Sequence, residues 1–433
     1  MFLDTPARIA IVGAGPVGLE AALYARYLGY EVDLYERGQV AEHLRRWGQL
    51  PMLAPFCANR SSLGLAALRA QDENWQPPRE EAILSGGEFR AQYLLPLAQS
   101  DLLADSVHTG TEVLAIGRDG VLKHETIDPQ QRGELPFRLL LRDAQGNERF
   151  ASAECVLDCS GVLGSPNGLG EGGLPALGER AAAEQIEYGQ PDVLNRDREQ
   201  YARKQTLVIG ANDAAAATVT ALADLAHQAP GTWITWITRE ERSSAEPGET
   251  PSGPVPFDPA DPSPARAKRA QAANRLTSGD ADHVTYWPGT SVESVHWNAG
   301  LSAFEVRLQG EHPAELRVER IVAHVGHHPD VRLFDELPVE LSPQSDGPSS
   351  LAMALATCST PAEIHDFQLR AEHLETSEPY FFVLGAKSFG RRAGFTPAHG
   401  FTQIRRLFAL FGDRDRLDLY STAASQAAPT PSA

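Results

Sequence analysis

The sequence predicts an α/β protein with buried parallel strands, and three observations predict it. An apolar strand at residues 9–12 runs through Gly13, Gly15 and Gly18, spaced G-x-G-x-x-G, into a helix. A second apolar strand at 206–209 runs through Gly210 into an Ala-rich helix. Near the C-terminus, "PYFFVLGAKSFGRRAGFTPAHGFTQIRRLFALFG" (379–412) reads as strand, glycine-rich loop and helix. Strands alternating with helices favour buried parallel sheets.

The bulk properties narrow the class. A chain of 433 residues has room for two or three domains, and 42% hydrophobic with 22% charged residues is ordinary for a globular protein. The formal net charge of −19 repels phosphate backbones, so no nucleic-acid partner is expected. No apolar stretch is long enough to span a bilayer, and the strand begins too soon to leave room for a signal peptide. Four cysteines without a C-x-x-C pair fit reduced thiols and a cytoplasmic location. Cys155 and Cys159, spaced C-x-x-x-C, are expected to be core residues.

The first motif has the parts of a dinucleotide site. Gly13 permits the tight turn, Gly15 lets the backbone approach a pyrophosphate, and Gly18 lets the helix pack close to the strand. Pro16 opens the helix, whose N-terminal N–H groups face the phosphates. The next strand, 31–35, ends at Glu36, placed to accept from ribose hydroxyls, and Arg37 follows.

A motif of this kind, opening the chain and ending in an acid, resembles the FAD domain of two-dinucleotide-binding-domain flavoproteins. That superfamily takes in flavin-containing monooxygenases, N-hydroxylases and thioredoxin-reductase-like enzymes. "SVHTGTEVLAIGRDG" (106–120) resembles their adenine-flanking strand, where the resemblance implies that Val113 offers its backbone to the adenine. "AECVLDCSGVLGSPNGLG" (153–170) resembles their Ala-Thr-Gly segment, with Ser160 and Gly161 at the sharp turn beside FAD. In "LRRWGQLPMLAPFCANRSSLGL" (44–65), the resemblance implies Trp47 as the residue stacking beneath the flavin and Arg46 as a phosphate or flavin-edge contact. In 379–412 it implies a turn at Gly385 and a helix starting near His399 and Gly400 with its dipole directed at the flavin, and Phe401 beside them at the flavin. Lys387 and Arg391 are expected on the loop, either solvated or binding an anion.

"VIGANDAAAATV" lies where that architecture places its NAD(P)H unit. Gly210 keeps the turn, Asn212 can adopt left-handed backbone at modest cost and so stands in for the second glycine, and Asp213 follows. Ala214 and Ala215 are small enough for a pyrophosphate to approach. The strand within 232–240 ends at Arg239, which suits the 2′-phosphate of NADPH; a vestigial pocket with a solvated Arg is the alternative. Residues 239–269 are rich in Pro, Ser, Glu and Gly and read as a surface insert, partly ordered at best. A helix is expected at 266–276 and strands at 283–310. His324, His327 and His328 lack a matching ligand set, so no metal is expected.

The implied organisation is an FAD-binding Rossmann-like domain at 1–165 and 350–415, an inserted NAD(P)H-binding Rossmann-like domain at 166–349, and a disordered tail at 416–433. The implied function is an FAD-dependent oxidoreductase taking hydride from NADPH, foremost a flavin monooxygenase acting on a small molecule with O2. The chain departs from flavin-containing monooxygenases in having no histidine between Gly161 and Tyr201, where they carry an F-x-G-x-x-x-H segment. A reductase or oxidase without oxygen transfer, and a non-catalytic flavin-bearing sensor or scaffold, stay open, as does a homodimer.

Overall fold

The computed structural model describes residues 2–240, 253–257, 264–279, 281–414 and 416–427. It divides into two compact units, Met1–Ser165 with His328–Ala433, and Pro166–His327. The return to the first unit thus comes at His328, earlier than the boundary after residue 349 expected above. Residues 328–349 carry Phe334 and Leu337, which join the core of the first unit, and that packing moves the boundary.

Along the chain, β1 (Arg8–Val12) leads into α1 (Pro16–Tyr27) and β2 (Glu31–Glu36), and after α2 (Ser62–Gln71) comes β3 (Val107–Thr109). A meander follows, β4 (Thr111–Arg118), β5 (Phe137–Asp143) and β6 (Glu148–Ala153), then β7 (Cys155–Asp158). The second unit runs β8 (Gln205–Ile209), α3 (Asp213–Gln228), β9 (Trp233–Ile237), α4 (Pro264–Arg275) and β10 (Val284–Trp287). Its own meander is β11 (Thr290–Asn298), β12 (Ala303–Gly310) and β13 (Ala314–Val318), followed by β14 (Arg320–Ala323). Back in the first unit come β15 (Phe381–Val383), α5 (Pro397–Phe411) and α6 (Leu419–Ala427).

The first unit holds a parallel sheet ordered β15-β7-β1-β2-β3 beside the antiparallel sheet β4-β5-β6. The second holds a parallel sheet ordered β10-β9-β8-β14 beside the antiparallel β11-β12-β13. The two units therefore repeat one plan, with β1, β2, β3 and β7 matched by β8, β9, β10 and β14. The expected parallel α/β architecture is present in both.

The apolar runs follow from burial on both faces of each sheet. In β1, Ile9 and Ile11 enter the cluster formed with α1, α2 and α5, while Ala10 and Val12 enter the one formed with the meander and Phe381. In β8, Val208 packs towards α3 and α4, and Leu207 and Ile209 pack towards β11 and β12. The insert is less detached than its composition implies. Val255 is buried in the second core and exchanges two hydrogen bonds with Asn274 on α4. Residues 241–252 and 258–263 of that expected excursion lie outside the described residues.

The expected disordered tail is corrected over residues 419–427, which form α6. Ser62 Oγ donates to Tyr420 O, Leu419 N–H donates to Tyr24 Oη, and the Tyr420 ring meets Tyr24 edge-on at 5.2 Å. Two aromatic anchors outweigh the low complexity of the flanking sequence. Residues 428–433 lie outside the described residues.

The same seam buries Glu20 of α1, facing the hydroxyls of Ser61 and Tyr420. Burial is the main cause that raises its carboxyl to about 7, and the Ser61 and Tyr420 hydroxyls offset only part of it. The folded state therefore holds a proton that the unfolded chain releases near 4.5. The stability this proton carries is fully present below that unfolded value and is lost as pH rises towards 7. Elsewhere Glu378 takes Arg118 Nε at 2.6 Å and Arg132 Nε at 2.7 Å, tying the meander to the turn before β15. We expect Glu20→Gln to be the more stable protein at pH 8 by about 2 kcal/mol, with the advantage vanishing towards pH 4. Urea titrations of both proteins across that range check this; a difference independent of pH would refute it.

Candidate nucleotide-binding turns

The two glycine turns are built alike. In the first, Gly13 has φ 98°, and an added Cβ would lie 2.8 Å from Ser160 Cα and 2.9 Å from Cys159 O. An added Cβ at Gly18 would collide with Gly13 O. At Gly15 it would meet open space, on the side a pyrophosphate must approach. Gly15 caps α1 without a side-chain hydrogen bond, Pro16 opens the helix, and no acid sits in its first turn. Its N-terminal N–H groups and dipole are thus left for an anion.

Glu36 ends β2 as expected, and its carboxylate braces the turn. Oε2 accepts from Ala14 N at 3.0 Å and Oε1 from Gly38 N at 2.8 Å. Lone pairs remain on both oxygens for ribose hydroxyls. Arg37 is exposed, and its guanidinium lies against Gly164. Val113 is buried by its side chain, and the β4–β5 register shifts just after it, between Val113 and Ala115.

The Ser160–Gly161 turn follows β7. Ser160 donates from N at 3.0 Å and from Oγ at 2.6 Å to Asp158 Oδ1, and Gly161 has φ 70°. Lys387, expected on the loop as a solvated or anion-binding cation, is not solvated: it is buried, with Nζ 2.6 Å from the carboxylate oxygen Asp158 Oδ2 and 3.1 Å from Ser160 Oγ. No sequence signal pairs two residues so far apart.

Other expected flavin contacts have structural partners. Trp47 is half-buried on the first core, with its ring edge against Gly86. Arg46 bonds Glu42 at 3.1 Å. Helix α5 starts at Pro397, capped by Thr396 and His399, ahead of the start expected near Gly400. A Cβ at Gly400 would meet Val17 at 2.9 Å and one at Gly385 would meet it at 3.5 Å, so both glycines admit close packing on α1. Phe401 faces Tyr420, with centroids 5.7 Å apart.

In the second unit, Gly210 has φ 118°, and an added Cβ would collide with His324 O. Trp236 Nε1 donates to Gly210 O at 2.8 Å. Asn212 does not use the left-handed backbone open to it: it is extended, with φ −89° and ψ 178°. It is the N-cap of α3, accepting from Ala215 N at 3.0 Å and donating to His324 O at 3.1 Å. Its side chain thus fills a role that needs no special backbone. Asp213 stands in the first turn of α3, 3.3 Å from Arg269, and Ala214 beside it is partly exposed. A cap and a carboxylate make this helix start less hospitable to a pyrophosphate than that of α1. Arg239 is exposed, two residues beyond the end of β9.

His324 is buried, with Nε2 2.8 Å from Thr218 Oγ1, and burial foremost, then His327, lowers it to about 4. It is a neutral strut for the turn. Among the described residues no group of three potential metal ligands occurs.

The contrast between Gly15 and Gly18 gives a direct check. Gly15 has φ −77° and open space, so Gly15→Ala should leave apoprotein stability within about 0.5 kcal/mol. Gly18→Ala should cost about 1–3 kcal/mol through backbone overlap. Chemical denaturation of both variants decides; equal losses would contradict the packing described.

No family model matches the chain. Nor does any curated protein. Solved structures do. The bacillithiol disulfide reductase Bdr (YpdA) from Bacillus cereus matches at TM-score 0.63 and 14% identity, covering 97% of this chain and 99% of that one. The cadaverine monooxygenase DfoA from Erwinia amylovora, solved bound to FAD, matches at TM-score 0.58 and 16% identity, covering 99% and 100%. The thioredoxin reductase of T. acidophilum matches at TM-score 0.51 and 16% identity, covering 93% and 97%. At these identities the likeness shows the fold alone, one shared by these two reductases and the FAD-bound monooxygenase, without a close match to any one of them.

Proposed function

We propose that the chain is an FAD-dependent oxidoreductase taking hydride from NADPH, and that it is a flavin monooxygenase acting on a small molecule with O2. The observation that carries the flavin assignment is the first turn: an open Gly15, an uncapped helix start and Glu36 at the strand end. These residues fit a dinucleotide, with α1 N–H groups on the pyrophosphate and Glu36 on the adenosine ribose. Bound there, FAD supplies hydride acceptance and oxygen activation. The protein's part is to hold and orient it: Gly13 and Gly18 set the turn, and Ser160 and Gly161 form the neighbouring wall.

The cysteines favour oxygen transfer over disulfide reduction. No C-x-x-C is present. Cys155 and Cys159 are buried, and burial pushes both thiols up, away from the reactive thiolate. DfoA, a monooxygenase, matches over the full length of both chains. A reductase or oxidase without oxygen transfer is the second reading, favoured by the reductases among the neighbours.

The test is reduction by NADPH without oxygen, then mixing with O2 while flavin absorbance is followed. The proposal expects a yellow protein that releases FAD on denaturation and, with no substrate to take the oxygen, regains the oxidised spectrum slowly, releasing its peroxide only as it does so. Prompt recovery with stoichiometric peroxide would favour the second reading, and a chain that cannot be loaded with FAD would end both.

The coenzyme assignment rests on Arg239. An Arg–phosphate pair is charge-assisted, so Arg239→Ala should cost about 1.5–3 kcal/mol with NADPH, roughly one to two decades in KM. The value for NADH should hardly move, since NADH has no 2′-phosphate. Equal losses with both coenzymes, or a wild-type preference for NADH, would remove Arg239 from the site.

A further inference from the structure

The ion pair of Lys387 and Asp158 is not required by the plan of the fold. In the first unit Asp158 stands opposite Val12, the residue before the glycine turn. The corresponding position in the second unit, opposite Ile209, is Ala323. The same strand arrangement is therefore made there with a methyl group. A fully buried pair is also a poor source of stability, because desolvation consumes most of its Coulombic gain.

What the pair does is join three segments. Lys387 Nζ donates to Asp158 Oδ2 and Ser160 Oγ, and Ser160 donates from N and Oγ to Asp158 Oδ1. Ser160 Cα and Cys159 O form the wall against which Gly13 is packed. The turn that carries Lys387 is fixed in its own right, since Gly385 N donates to Gln403 Oε1 and Gln403 Nε2 to Ser388 Oγ. The Phe334 ring, 5.3 Å from Nζ, closes the remaining side.

We propose that Lys387 is a positioning residue for the first nucleotide-binding turn, locking the strand end at Asp158–Ser160 so that the Gly13–Gly15 backbone is held ready for a pyrophosphate. This rests on the flavin assignment above. Lys387 acts through Asp158 and Ser160, and the preorganised turn spares the ligand the cost of ordering it.

The decisive protein is the full-length double variant Asp158→Asn, Lys387→Met, which leaves no uncompensated buried charge. Two readouts are taken on the apoprotein: the Kd for FAD from flavin fluorescence, and hydrogen exchange of peptides covering residues 9–20. We expect FAD binding weakened about tenfold and faster exchange confined to residues 13–18. Ser160→Ala, at an exposed position, keeps the question open to test if the double variant does not fold. It should weaken FAD binding about threefold at unchanged melting temperature. A folded variant with wild-type Kd and exchange overturns the proposal, as does uniformly faster exchange across the unit, which would mark a merely structural pair. A wild-type chain that binds no FAD, with the local exchange change still present in the variant, would sink the flavin assignment and support the positioning role.

Discussion

Both units depend on one close approach, of a strand end against the first glycine of a turn. In the first unit the residues after β7 fill the space a Cβ would need at Gly13, and in the second His324 does so at Gly210. The contact sets where each helix begins, because the turn cannot move away from its neighbouring strand. It also explains why substitutions elsewhere in the second turn are accommodated while Gly210 stays glycine. Asn212 and Ala215 only shape the helix start, whereas Gly210 bears the steric load.

The parts of this arrangement governed by local sterics were legible in the sequence. Gly13, Gly15 and Gly18 carry their meaning in their spacing, and Glu36 in its distance along the chain. Cys155 and Cys159, read as core residues, are buried. The contacts that cross the chain were not legible. Lys387 reads as a loop cation, solvated or on an anion, until β15 is set beside β7, and nothing in the sequence sets the Phe401 ring opposite Tyr420. Helix α6 was missed because its anchors, Tyr24 and Ser62, lie at the other end of the chain. Two Rossmann-like units were legible in the glycine turns, but the full extent of their repetition resides in strand order and register, which neither composition nor motif displays.

Buried charge is managed in three ways within the first unit. Glu20 holds its proton up to about pH 7, Asp158 takes a single ammonium, and Glu378 is shared by two guanidiniums. The choice follows the donors available. Hydroxyl groups alone do not repay the desolvation of a carboxylate, while a cation with well-placed N–H groups does.

The seam between the two passages of the first unit has a consequence for modularity. His328 N–H donates to Ser165 O at 2.9 Å, so the first unit's chain leaves and re-enters at hydrogen-bonded neighbours. Within the second unit, Pro166 and His327 form an antiparallel bridge of their own. Each unit thus closes its ends locally, and the loop entropy of interrupting one by the other is small. Such a junction makes the inserted segment a cassette: a gene could exchange it for another module, or lose it for a direct Ser165–His328 link, without rewriting the sheet into which it was spliced.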